Sequence, residues 1–170
     1  ALDCIVPVVH PSNPLSNLKL EQLKKIYSGE AKNWKDVGGP DQVIVVISRD
    51  SSSGTFGVWN KKVLGKKVRV RPDAQLQASN GAVAQAVAGN KNAIGYVGIG
   101  YLNDKLKGLT INGVKASAKT AMDKSYPVAR GLNMYTRGEP KGATKEFIAF
   151  LMGPEGQKIV AEEGFVPLAK

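Results

Sequence analysis

The sequence predicts an α/β fold, with a mainly parallel sheet flanked by helices, on three observations. Apolar, β-branched runs of strand length (LDCIVPVV, VIVVI, NAIGYV) recur along the 170 residues. Between them stand segments whose apolar residues return at helical spacing, such as LKLEQLKKIYSG and SNGAVAQAVAGN. Those segments carry end signals, with Ser or Asn ahead of a helix and Gly behind it. Strands alternating with helices bury both faces of a parallel sheet under helical layers. At 42% hydrophobic and 22% charged, the chain can fill such a core.

In order, residues 2–9 are a strand, with Pro7 marking an edge or a bend. HPSNP at 10–14 has turn chemistry. Leu20, Leu23, Ile26 and Tyr27 share one helical face, and Gly29 stops that helix. Residues 33–40 read as a loop and 43–47 as a strand. A helix over 54–64 ends at Gly65, and 68–70 is a short strand or a linker. Ser79 or Asn80 caps the next helix, whose Val83, Ala86 and Val87 face inward and whose end is Gly89. Residues 92–97 are a buried strand, and 98–102 a short helical turn. A short strand at 109–111 precedes an Asn-Gly turn. YPVARGLNMY at 126–135 reads as a long strand. Helices at 144–152 and 154–163 close the chain; Phe147, Phe150 and Leu151 form the apolar face of the first, and Pro154 opens the second.

The bulk numbers exclude several functions. A net charge of +10 and a pI near 9.7 suit small anions, acidic surfaces or nucleic acid. The lysines are scattered, whereas a nucleic-acid stripe would carry more arginine with interleaved aromatics, so nucleic acid is disfavoured. Cys4 is alone and reads as a buried strand thiol. His10 is the single histidine and there is no CxxC, so neither a zinc site nor any other metal or cofactor is expected. No G-x-S-x-G, P-loop or G-x-G-x-x-G occurs, and no catalytic set is expected. No apolar run is long enough to span a bilayer. Ala1 starts almost directly on a strand, so the expectation is that a leader was removed or that the chain is an internal piece of something larger.

The loop SRDSSSGTF at 48–56 joins a strand to a helix. A helix start offers unpaired amides and a partial positive charge. Ser53 and Thr55 add hydroxyls, Gly54 allows close approach, and Arg49 adds a charged fork suited to an oxyanion. The plainer reading makes Ser53 an ordinary N-cap and Arg49 a surface residue.

Arg49-x-x-x-Ser53-Gly54-Thr55 resembles the phosphate-binding loop of the periplasmic phosphate-binding proteins that serve ABC-type phosphate importers. So do NPLSNLKLEQLKKIYSGEAKNWKDVGGPD, SNGAVAQAV with NAIGYVGIGYL, YPVARGLNMYTRGEP and FIAFLMGPEGQKIVAEEGFVPL, in the same order. The resemblance implies two α/β lobes joined by crossover strands, with the anion in the cleft. Residues 10–125 would form a complete anion-binding lobe. Residues 1–9 and 126–170 would be crossover strands and closing helices of an incomplete other lobe. Arg49, Ser53, Gly54 and Thr55 would be the phosphate ligands, and Asn80 and Gly81 are candidates for lining the cleft.

Two departures stand out. Many members brace the arginine with an acid two residues later, where this chain has Ser51; Asp50 lies one earlier. Members also begin with a further stretch that builds most of the first lobe and grips the anion from its other side. Without it, Phe147, Phe150, Leu151, Ile159 and Val160 would form a bare apolar patch. The tail would then fold onto the lobe, the chain would dimerise, or a separate chain would supply the missing half. The implied function is the periplasmic or extracellular solute-binding component, or a fragment of it, that hands phosphate or a similar oxyanion to a membrane permease. The alternatives are a transport-inactive domain binding acidic partners or nucleic acid, and an enzyme on a phosphorylated substrate. The last is opposed by the lack of a general base near the loop other than Asp50.

Overall fold

A computed structural model describes residues 1–168; Ala169 and Lys170, the end of the expected C-terminal span, lie outside the described residues. The chain runs β1 (Leu2–Val9), β2 (Asn17–Leu18), α1 (Leu20–Ser28), β3 (Val45–Arg49), α2 (Gly54–Trp59), β4 (Gln75–Gln77), α3 (Asn80–Ala88), β5 (Ala93–Gly98), β6 (Lys107–Gly108), β7 (Thr110–Ile111), α4 (Ala118–Met122), β8 (Ala129–Gly131), α5 (Gly142–Met152) and α6 (Pro154–Glu162). The main sheet has the order β4-β3-β5-β1-β6, and β8 pairs with the first residues of β1.

The α/β class and the flanking helices stand as expected, but the strand directions are mixed. β3 runs parallel to β4 and β5, while β1 is antiparallel to β5, β6 and β8. β1 brings the chain into the sheet against the direction of its neighbours, and β8 carries it out beside β1. Pro7 lies inside this strand opposite Tyr96, and its carbonyl accepts from Leu109 N at 2.9 Å. In a strand the amide and carbonyl of a residue share a side, so the missing N–H faces the short β6 edge.

β5 is buried along its whole length and sorts its side chains by the two-residue period of a strand. Ile94 and Tyr96 face α1 and α2, in a core with Leu23, Ile26, Tyr27, Trp34 and Trp59. Ala93 and Val97 face α3, with Val8, Ile47, Val83 and Val87. Ala86 is only half-buried against that second cluster. A Cβ on Gly95 would stand 2.7 Å from Val83 Cγ1 and 2.8 Å from Val87 Cγ2, so α3 lies directly on the strand there. Gly29 ends α1 at φ +87°, as its place after the apolar stripe predicts.

Four expectations shift. The strand expected at 43–47 sits at Val45–Arg49, because Val43 bridges to Asn33 outside the sheet and is 64% exposed. The loop at 33–40 contains a 3₁₀ turn, Trp34–Val37, whose Trp34 is fully buried. The helix from Gly54 continues to Leu64, but its second half, Asn60–Leu64, is π-wound. The long strand expected at 126–135 shortens to Ala129–Gly131. Its ladder with β1 pairs Ala129, Arg130 and Gly131 with Cys4, Asp3 and Leu2, and Leu132 N donates to Ala1 O at 2.9 Å. Residues 68–70 are linker, and β4 and α4 are elements the sequence pattern did not reveal.

α5 and α6 pack on each other where Gly156 rests on the backbone of Phe150 and Leu151. They are tied to the rest by a Leu2–Val166 bridge and by contact of Gly164 with Gly100. Phe147, Phe150 and Ile159 remain exposed, and Leu151 and Val160 are half-buried. Among the described residues, the tail therefore does not bury this face on the rest of the chain. No described helix is long and apolar enough to cross a membrane.

Candidate functional site

β3 and β4 run parallel and in register to Arg49–Gln77, so the helices that follow them, α2 and α3, both start at one edge of the sheet. Ligands of open α/β sheets gather at such carboxyl ends. An aromatic stack supports that edge: Trp59 lies on Tyr96 with ring centroids 4.3 Å apart, and Tyr27 meets Trp59 edge-on. The Tyr96 hydroxyl accepts from Arg49 N at 3.2 Å and contacts Ser48 Oγ at 3.0 Å. The aromatic core thus fixes the last residues of β3.

The Arg49 side chain is buried and its fork is held by backbone. Nε donates to Gln77 O and Nη2 to Ala78 O, each at 3.0 Å. The acid that many phosphate-binding loops use as a brace is absent: Ser51 is exposed, and Asp50 Oδ2 stays 4.0 Å from Arg49 Nε. Asp50 is engaged by Ser52, whose hydrogen bonds keep its carboxyl below the usual carboxylate range. The carbonyls of Gln77, at the end of β4, and of Ala78, just after it, hold the fork instead.

Ser53 caps α2, its Oγ accepting from Phe56 N at 3.2 Å, which leaves its hydroxyl hydrogen to donate. Gly57 N bonds Ser53 O at 3.0 Å, the first turn of the helical ladder. The amides of Gly54 and Thr55 precede that ladder and have no carbonyl within the helix to meet. Gly54 is exposed while Ser53 and Thr55 are buried, so access to the helix start is over the glycine. Ser53, Gly54 and Thr55 thus open α2 at the same sheet edge that holds the Arg49 fork.

Reasoning from motifs misses Arg130. From β8 its Nε and Nη2 donate to Asp3 Oδ2 at 3.1 and 2.9 Å, and Nη2 also donates to Thr55 Oγ1 at 3.2 Å. Asp3 is 1% exposed, and burial pushes its carboxyl above the usual range, with Arg130 pulling the other way. The available signal was a charge in each of two apolar strands, since buried charges require partners. Asn80 opens α3 behind the Ser79 cap and lines a cavity of about 80 Å³ with Asp3 and Arg130. Gly81 does not line that cavity, and the nearest atom to a Cβ there would be Ser79 Oγ at 3.8 Å. Among the described residues no cluster of His, Cys, Asp and Glu could hold a metal ion.

Compared with known protein families, residues 1–155 match the PBP superfamily domain. The chain belongs to the PBP superfamily. Within it, the phosphate-binding protein PstS of Bacillus subtilis is 36% identical over 162 residues, 94% of this chain and 53% of that protein. A Clostridium perfringens protein described as a phosphate ABC transporter substrate-binding protein, solved with phosphate bound, superposes with a TM-score of 0.89 at 36% identity, covering 99% of this chain and 70% of that one. An ABC-type phosphate transport receptor from Vibrio cholerae gives 0.87 at 32% identity, covering 99% and 70%. The chain spans about half the length of the curated Bacillus relative.

Proposed function

We propose that this chain is the solute-binding component, or part of one, of an ABC-type phosphate importer, and that it captures phosphate or a similar tetrahedral oxyanion through Arg49, Ser53, Gly54 and Thr55. The observation that carries this reading is the buried Arg49 fork, fixed on two carbonyls at the sheet edge that also presents the free amides of Gly54 and Thr55. A fixed charge beside unpaired donors suits a compact anion and needs no chemistry on it. The chain acts as a binder, not an enzyme. Its place is periplasmic or extracellular, next to the permease that receives the anion. Residues 10–125 form the anion-binding lobe, and the spans on either side belong to the other lobe. A second copy or a complementary chain covers the apolar face of α5 and α6.

Calorimetric titration with phosphate, with sulfate as control, tests the reading. Saturable phosphate heat is expected, and Arg49→Ala should weaken it by at least about tenfold, the loss of one charge-assisted hydrogen bond. Equal, strongly salt-dependent binding of unrelated polyanions would instead favour a general acidic-partner surface.

A further inference from the structure

We propose that Arg130 is a positioning residue of the anion site, which holds the Thr55 hydroxyl as a hydrogen-bond donor toward the bound oxyanion. The inference rests on the phosphate reading above and adds a residue that lies outside the loop motif.

A hydroxyl has one hydrogen and can accept as well. Thr55 Oγ1 accepts from Arg130 Nη2 at 3.2 Å, so its hydrogen is directed elsewhere. In a helix interior threonine would give that hydrogen to the carbonyl three or four residues back. Thr55 is the second residue of α2, and the carbonyls at those offsets lie in the preceding loop, outside the helical ladder. The branched Cβ limits side-chain rotation further. The hydrogen is left for the open side of the helix start.

The arginine that imposes this is itself held by its guanidinium. Two of its nitrogens bind one oxygen of Asp3, a residue 1% exposed on β1. Its Nη1 lies 3.4 Å from where a Cβ on Gly54 would stand, so positive charge also flanks the point of access. Asp3 offsets that charge without reaching Thr55. The guanidinium spans β1, β8 and α2, and it ties the polarity of one site hydroxyl to the pair of strands that carries the chain in and out.

The test is a double-mutant cycle read by phosphate calorimetry, with Arg49→Ala as the site control. Arg130→Lys keeps the charge and the Asp3 pair but loses the fork that reaches Thr55. It should weaken phosphate binding by about tenfold, with sulfate as the reference anion. In a Thr55→Val background the same change should cost less than about twofold, because the hydroxyl it acts through is gone. The double change Asp3→Asn with Arg130→Met removes both charges of the pair together, and it should reproduce the loss at an unchanged melting temperature. Wild-type affinity in Arg130→Lys, or equal losses with and without the Thr55 hydroxyl, would overturn the proposal and leave Arg130 as a structural ion pair. If wild type binds phosphate and Arg49→Ala does not while Arg130 is indifferent, only this inference falls. If wild type takes no phosphate at all, the phosphate reading falls and this one with it.

Discussion

Cys4 and Asp3 are neighbours in one strand, and burial is the leading influence on the chemistry of both. Burial, helped by the Asp3 charge, pushes the Cys4 thiol up to about 11. Thiol reagents at mildly alkaline pH should therefore label Cys4 only when the fold opens, at a rate that follows unfolding and vanishes under native conditions. Asp3 titrates above its usual range in the fold, so its contribution to stability is full below the unfolded value and is lost as pH rises through the folded value. Compared with Asp3→Asn in urea titrations, wild type should lose relative stability between acidic and neutral pH. The proposed loop residues Arg49, Ser53, Gly54 and Thr55 could be picked out from the sequence because they lie in one short loop and suit one mechanism. Arg130 and Asp3 were not, because they are 127 positions apart and meet only once β1 and β8 pair.

Among the elements, α3 is seated by a single glycine. Gly95→Ala would drive a methyl group into Val83 and Val87, lift α3, and cost about 1–3 kcal/mol in urea unfolding, as overpacking typically does. Because α3 follows closely on Gln77 and Ala78, whose carbonyls hold Arg49, phosphate affinity should fall along with stability. Helices were the most legible elements, since α1 and α3 announce themselves by period and caps. Strands were less so. β4 is three residues of Gln-Leu-Gln with its leucine exposed, a segment without apolar alternation that becomes a strand only because β3 lies beside it. The strand at 126–135 carried the right residue types, but only Ala129–Gly131 pair with β1 as a ladder, and pairing decides which residues of such a run become strand.

For the molecule as a whole, the open question of sequence was what covers α5 and α6. Phe147, Phe150 and Ile159 are roughly half exposed on one helical pair. Isolated chain should self-associate with rising concentration in sedimentation experiments, despite its net charge of +10. Phe147→Ser with Phe150→Ser should return it to a monomer with little change in unfolding free energy, because neither ring is in the core. The α/β class and the lobe's helices were legible from alternation; the strand directions were not, since periodicity says which residues pair a sheet's faces but nothing about which way each strand runs.

The pairing of Leu2, Asp3 and Cys4 with Gly131, Arg130 and Ala129 places the incoming and outgoing chain side by side, about 5 Å apart as adjacent strands are. Everything between them enters and leaves through that one pair of strands, with Gly100 against Gly164 as a further contact to the C-terminal segment. Such a unit can be lifted from one host and set into another through a two-strand graft. It can equally be joined across the stem by a short linker and reopened at the Asn112-Gly113 turn, whose left-handed residues sit at the surface.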